Sequence, residues 1–295
     1  MTTISAERPA KRPAGTPPGR RRRRNPSTYV VLISLAVLAV VMLVPFGIVT
    51  LNAVKSPAEY SAQGPLSLPK GLYLQGIKDF WERVDFGGKL WNSILISGSV
   101  AVLAVLLSVL NAYALGIGRI KGRLWIMVLF LVGNTLPQEG LVYPLYFLAK
   151  KLNLYDTRLS VIIIFTVIQS AFGTYLLSSV LSTFPREIIE AAEIDGAGRW
   201  RVLWRVVVPV TRPTLAVLFV FFFIWTWNEF FLPMIMLISN DNQTVPVSLG
   251  VLQGEKMMDA TMTSASALLG IIPAIVFFLI FQRTLSRGIT AGAIK

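Results

Sequence analysis

The residues best suited to specific charged contacts lie between positions 182 and 213, in a polar segment flanked by two long apolar runs. Within it, Glu187, Glu190 and Glu193 follow one another at intervals of three residues. Side chains at this spacing are neighbours on a helix, and acidic ones are favoured near its N-terminus by the macrodipole. Such carboxylates can form charge-assisted hydrogen bonds to a basic partner. Because the segment is polar, we expect it to lie in water.

Signals for the ends of helices surround these acids. Pro185 suits a first helical turn, because its missing N–H would have no partner there. Gly196 can adopt a positive φ and end the helix. A second, basic segment runs from Arg199 to Val208, and Pro209 and Pro213 are expected to stop it. The sequence therefore predicts two short helices joined at a glycine.

The same segment resembles a known motif. An E-A-A triplet at 190–192, a glycine at 196 and a V-V-V-P run at 206–209 resemble the EAA motif of binding-protein-dependent ABC importer permeases. Two positions depart conservatively, since the family usually has an aromatic residue where Leu203 stands and isoleucine where Val206 stands. The resemblance implies that the loop 182–213 forms coupling helices that seat in a cleft of a separate ATPase subunit. The residues it assigns to this contact are Glu190, Ala191, Ala192, Asp195, Gly196, Ala197 and Pro209.

Composition indicates a membrane protein. Hydrophobic residues make up 54% of the 295 residues, charged residues make up 15%, and the mean hydropathy is +0.63. The chain has no cysteine and no histidine, which excludes disulfides, thiol nucleophiles and histidine-containing metal sites. We predict no metal site and no cofactor.

Residues 1–28 carry eight basic residues, one acid and five prolines, including the run Arg20–Arg24. No apolar periodicity is present, so we predict a disordered basic tail in the cytoplasm. A nucleic-acid-binding arm is the less favoured alternative, because no soluble folded domain stands beside it. A twin-arginine export signal is disfavoured because the hydrophobic residues expected just after the arginine pair are missing.

Six apolar stretches are long enough to cross a bilayer as helices, at 1.5 Å per residue. Because lipid offers no partners to open backbone groups, all six must be helical. The fold class is therefore all-α: a polytopic membrane protein with a six-helix domain over 29–287 and a short cytoplasmic tail over 288–295. The predicted spans are Tyr29–Leu51, Asn92–Leu115, Leu124–Phe147, Leu159–Leu181, Thr214–Leu237 and Ser264–Phe281.

The positions of the basic residues predict the orientation. With the N-terminus inside, 19 of the 28 lysines and arginines fall in inside segments and nine in outside segments. The positive-inside rule then places both termini and the loop 182–213 in the cytoplasm of a multi-pass plasma or inner membrane protein. The net charge of +13 needs no nucleic acid to explain it.

Polar and aromatic residues inside the spans are candidates for a transport path. Ionisable residues are costly in lipid, and two glutamates lie deep in predicted spans. One interpretation is a polar lining for a sugar path, with tryptophans stacking on pyranose faces. The alternative is that the tryptophans belong to the interfacial belt and the glutamates reach headgroups or neighbouring helices. The candidate lining residues are Glu139, Gln169, Trp225, Trp227, Asn228 and Glu229.

Other stretches narrow the resemblance. The segment 227–233 resembles the WNEF-type segment of carbohydrate permeases, and 287–295 resembles the ending of the second permease in the maltose-type group. Residues 92–93 and 154–157 fit the same group, so the resemblance covers about 28–295. It implies a permease that takes up a di- or oligosaccharide by alternating access. It also implies a second homologous permease, two ATPase copies and an extracytoplasmic solute-binding protein as partners, in addition to the membrane lipids.

The sequence contains no G-x-x-x-x-G-K-[ST] phosphate loop and no pattern of catalytic side chains. We therefore predict a transport subunit rather than an enzyme, with ATP hydrolysed by a separate chain. Three alternatives stay open: an ABC importer for another solute such as a polyamine, phosphate or glycerol-phosphate, an ion-coupled secondary transporter, and a membrane scaffold that uses the arginine run.

Overall fold

The computed structural model describes residues 26–118, 120–254 and 260–293, with side chains over 29–118, 120–251 and 260–283. The predicted tail over 1–28 therefore lies almost entirely outside the described residues. Every regular element in the described part of the chain is helical. The helices are α1 Pro26–Ala53, α2 Pro57–Gln63, α3 Gln75–Arg83, α4 Phe86–Ala112, α5 Arg123–Thr135, α6 Gln138–Lys151, α7 Arg158–Ser182, α8 Arg186–Ile194, α9 Arg199–Val202, α10 Val208–Asn228, α11 Phe231–Met236, α12 Val245–Gly254 and α13 Ala260–Ala293. A π-helical turn at Tyr113–Ile117 extends α4, another at Leu203–Val207 joins α9 to α10, and a 3₁₀ turn lies at Asn240–Asn242.

Five of these helical runs are long and apolar enough to cross a membrane, and the pair α5–α6, bent by 98°, makes six if it counts as one span. The chain forms two compact units, the first up to Gly47 and the second from Ile48. The described part of the first unit is the apolar start of α1.

The second unit is built around α4 and α7. Arg158 at the start of α7 donates to Asn92 Oδ1 near the start of α4 (3.0 Å). At their other ends, a Cβ on Gly116 would lie 2.9 Å from Leu181 Cβ. The two helices are therefore parallel. The chain between them must return from one end of the bundle to the other, and only α5–α6 makes that return. The bent pair thus completes the predicted six-span architecture.

The centre of this unit is packed to atomic contact. Gly173 of α7 lies against Ser108 of α4 and Phe222 of α10, and a Cβ there would come within 2.8 Å of the Phe222 ring. Ser108 donates to the Ser170 carbonyl across the α4–α7 contact (3.2 Å). Small residues allow membrane helices to approach this closely. α10 runs antiparallel to α13, since Phe219 packs on Phe281 with ring centroids 6.2 Å apart, whereas Trp227, later in α10, packs on Phe277, earlier in α13, at 4.9 Å.

The third predicted span, Leu124–Phe147, is a bent pair of helices, because α5 ends at Thr135 and α6 begins at Gln138. Pro137 explains the break. A residue before proline is pushed out of the helical region, and Leu136 has an extended ψ of 128°. Proline also lacks the N–H that would continue the hydrogen-bond ladder.

The prediction that Pro209 and Pro213 stop a helix is also wrong. The helical run continues from Arg199 to Asn228, so the fifth span starts well before the predicted Thr214. The π turn at Leu203–Val207 accounts for this, since the Val208 N–H bonds to the Leu203 carbonyl five residues back. A π turn of this kind re-routes the local hydrogen bonds, which allows Pro209 to follow directly within the helix. Phe231 to Leu237, predicted to end this span, instead follow a break at Glu229.

A hydrogen-bonded network closes the bundle at the start of α4 and α7, which we call the network end. Asn92 donates to the carbonyls of Asp241 (2.7 Å) and Gln243 (3.0 Å), and Lys89 donates to that of Asn240. The Asp156 carboxylate accepts from the Ser239 backbone N–H (3.0 Å) and hydroxyl. The loop between α11 and α12 is thereby fixed to α4 and to the loop between α6 and α7.

Candidate functional site

The acidic segment forms a bent pair of helices at the end of the bundle opposite the network end. We call residues 186–202, comprising α8, the turn at Gly196 and α9, the elbow. Gly196 has φ +76°, which confirms the predicted glycine bend. Its N–H bonds to the Glu193 carbonyl (3.0 Å), and the Ala197 N–H bonds to the Ala192 carbonyl (2.9 Å). Two hydrogen bonds thus fix the angle between the halves of the elbow.

The elbow has an inner and an outer face. Ile189 and Ala192 pack against the bundle core. Glu190 and Glu193 are exposed, and Ile194 is 86% exposed at the end of α8. Within the described residues Glu190 forms no ion pair, not even the i, i+4 pair that Arg186 offers. The outer face of the elbow therefore carries glutamates without an ion pair in the described chain and an exposed isoleucine.

A cleft of about 190 Å³ separates α8 from the bundle. Gly116 and Leu181 form its floor, while Arg186, Ile189 and Glu190 form its rim. Glu190 therefore stands where a side chain from another protein can reach both the elbow and the ends of α4 and α7.

The second half of the motif is structural in this chain. Val202, Leu203 and Val207 are buried in the bundle core, and Pro209 is half-buried in the first turn of α10. The Tyr113 hydroxyl donates to the Arg199 carbonyl (3.2 Å), which joins the elbow to the π turn of α4. The elbow is thus continuous with α10 and tied to α4.

Among the candidate path residues, Trp225 lines a cavity. The cavity holds about 430 Å³ and lies between α4, α5, α6, α7 and α10. Asn111, Asn134, Gln138 and Ser170 supply its polar groups. None of these four residues was among the predicted lining residues, although polar side chains within apolar runs are the signal that marks them.

Gln169 and Trp227 lie in the packed interior instead. Gln169 is fully buried and donates to Thr226 Oγ1 (2.8 Å), so it joins α7 to α10. Trp227 is 5% exposed, stacks on Phe223 with centroids 6.0 Å apart, and meets Phe277 edge-on at 4.9 Å. Neither side chain lines the cavity.

Glu139, Asn228 and Glu229 lie at helix ends, and Glu139 directly follows the break inside the α5–α6 span. Glu139 is exposed in the first turn of α6, and Asn228 is exposed and donates to the Ile224 carbonyl (2.7 Å). Glu229 caps the end of α10. The cavity walls contain none of these three residues.

The decisive comparison is with known families. Residues 104–290 match the family described as "Binding-protein-dependent transport system inner membrane component". The chain belongs to this family. It is a multi-pass membrane protein, as predicted from the apolar stretches, and a transport component rather than an enzyme, as predicted from the EAA-like motif. Permeases of this family act with ATPase subunits, a solute-binding protein and a second permease.

Relatives and a solved structure agree with this assignment. The diacetylchitobiose uptake system permease protein NgcG of Streptomyces coelicolor is 27% identical over 88% of this chain and 87% of its own length. The melibiose/raffinose/stachyose import permease protein MelC of Bacillus subtilis is 26% identical over 93% of this chain and 99% of its own. A crystal structure of a bacterial ABC transporter involved in the import of the acidic polysaccharide alginate superposes with a TM-score of 0.76 at 22% identity, over 90% of this chain and 99% of that one. The similarity to this solved structure shows that the two chains share a fold.

Proposed function

We propose that this permease carries a di- or oligosaccharide into the cytoplasm, as one of two permeases in an ABC importer driven by two ATPase copies. A solute-binding protein delivers the sugar at the network end, and the elbow and both termini lie in the cytoplasm. The observation that carries the proposal is the elbow, whose exposed glutamates on α8 form no ion pair within the described chain.

The elbow is built to pass force to the bundle. Two hydrogen bonds fix the turn at Gly196, and α9 continues through a π turn into α10 without a loop. Glu190 is positioned to accept charge-assisted hydrogen bonds from an ATPase arginine or lysine, each worth about 1.5–3 kcal/mol. When the two ATPases close, their movement tilts α10 and the helices packed on it, which is an alternating-access motion.

The saccharide assignment is supported by the relatives. The printed names of NgcG and MelC describe uptake of diacetylchitobiose and of melibiose, raffinose and stachyose, all of which are oligosaccharides. The cavity beside Trp225 agrees, because its polar side chains are amides and a hydroxyl rather than charges.

The test is sugar-coupled ATP hydrolysis. The complex is purified from its host through a tag on this chain, placed in nanodiscs, and assayed with the co-encoded binding protein loaded with raffinose or diacetylchitobiose. We expect an ATPase to co-purify and its activity to rise with loaded binding protein. Glu190→Lys abolishes that rise and sugar uptake, whereas Glu82→Lys does not, because it breaks only an exposed pair with Lys78 at 3.9 Å. Absence of any ATPase partner, or normal uptake by Glu190→Lys, refutes the proposal.

A further inference from the structure

We propose that Trp225 and the amides around it form a subsite for a neutral saccharide, so that this permease itself contacts the sugar. The inference rests on the proposed function, since a transported oligosaccharide is what the subsite would hold. We call the space the Trp225 cavity.

The Trp225 cavity has the size and composition of a ligand site. Its volume of about 430 Å³ falls within the range of about 300–1,000 Å³ that ligand pockets occupy. Most of its wall is apolar, and a few polar groups converge on it from four helices. That combination, an apolar wall with few directed polar groups, is the usual composition of a small-molecule site.

The amides offer hydrogen bonds that the described chain does not use. Asn111 donates to Thr174 Oγ1 (3.3 Å) and Asn134 donates to the Phe130 carbonyl (3.0 Å), while their amide oxygens have no partner among the described residues. The Gln138 amide forms no hydrogen bond within that same part of the chain. An amide both donates and accepts, as a sugar hydroxyl does, so these groups match hydroxyls in either direction.

Trp225 supplies the apolar surface that a pyranose ring requires. Its indole is half-buried and is supported by Phe172 and Phe221, whose ring centroids lie 6.3 Å and 5.6 Å away at steep interplanar angles of 82° and 71°. Neither contact is a parallel stack. The indole N–H has no hydrogen-bond partner in the described residues, so the ring presents both an apolar body and a free donor.

The cavity wall also determines which sugars fit. No ionisable side chain belongs to the wall in the part of the chain that the structure describes. Moving a carboxylate from water into such a site is costly without a cation to pair it. The Trp225 cavity therefore favours neutral over acidic oligosaccharides.

Saturation-transfer-difference NMR tests this on the purified complex in nanodiscs without binding protein, using raffinose and, as the acidic probe, trigalacturonate. We expect transfer to raffinose ring protons in the wild type and an affinity about three- to tenfold weaker in Trp225→Ala. Trp125→Ala is the matched control, because Trp125 is 77% exposed on α5 and does not line the cavity. With the wild type, trigalacturonate should give a signal no stronger than the one that raffinose gives with Trp225→Ala.

Two further variants keep the test decisive. If Trp225→Ala fails to form a complex by size-exclusion chromatography, Trp225→Phe and Gln138→Ala take its place, and both should weaken raffinose binding at least twofold. Equal binding by the cavity variants and the wild type, equal signals from trigalacturonate and raffinose, or no raffinose signal in the wild type overturns the inference. Failure of the proposed function gives a different result: no loaded binding protein would stimulate ATPase activity, while the NMR signal from raffinose would still be present.

Discussion

Substitution of Gly196 is the sharpest test of the elbow. A Cβ at this position would meet no atom within 4 Å, so any penalty comes from the backbone alone. At φ +76° an L-residue costs about 1–2 kcal/mol, so Gly196→Ala should lower the population of the ordered elbow about 5- to 30-fold relative to its alternatives. Gly196→Pro goes further, because it fixes φ near −65° and removes the hydrogen bond to the Glu193 carbonyl.

The assay is the ratio of ATPase activity with and without loaded binding protein, measured beside sugar uptake. We expect Gly196→Pro to insert and assemble with a ratio near one, Gly196→Ala to be intermediate, and Gly196→Asn to stay within about twofold of the wild type, since asparagine tolerates this conformation. Gly122→Ala is the control, because Gly122 has φ +77° and equally empty surroundings but lies outside the elbow. Normal stimulation in Gly196→Pro, or an equal loss in Gly122→Ala, would refute the reasoning.

Three further predictions concern the bundle. Gly173→Ala should destabilise the protein by about 1–3 kcal/mol, because its Cβ would press on Phe222, and a lowered Tm in detergent checks this. Asn92→Ala removes two hydrogen bonds to the loop before α12, so hydrogen exchange in that loop should rise while α4 stays protected. Burial, the largest single influence, raises the pKa of Asp156, but the hydrogen bonds it accepts, chiefly from Ser239, together hold that pKa below its ordinary value. The stability that these hydrogen bonds contribute is present above the pKa that Asp156 has in the unfolded chain, and it is lost as the pH falls through its pKa in the folded protein. Hydrogen exchange in the loop between α11 and α12 should therefore rise on acidification. The rise should be smaller in Asp156→Asn.

The sequence was most informative where local chemistry determines the structure. The glycine bend follows from positions 185–196 alone, and the structure agrees with it. Prolines were less informative, because their effect depends on the surrounding turn. Pro137 interrupts a span, whereas Pro209 and Pro213 lie inside a continuous helical run beside a π turn. No local sequence pattern predicts a π turn, because such a turn forms where tertiary packing favours a widened helix.

The candidate path residues also show that local sequence does not determine where a side chain lies in the fold. Trp225 and Trp227 are two residues apart and therefore point to opposite sides of α10. One lines a cavity and the other is buried against Phe277 of α13. Their sequence environments are nearly alike, so only the placement of α13 and α5 around α10 separates a possible binding surface from a core contact.

The close contact at Gly173 constrains how this protein can move. Because a methyl group at Gly173 would collide with Ser108 and Phe222, where α4, α7 and α10 meet, we expect those three helices to move together. Movement within the bundle then requires a flexible segment elsewhere. Among the transmembrane segments of the described chain, only α5–α6 is interrupted by a sharp bend. We therefore expect the route across the membrane to open and close when α4, α7 and α10 rotate together relative to the bent α5–α6 pair. Asn134 and Gln138 lie on either side of the break in that pair.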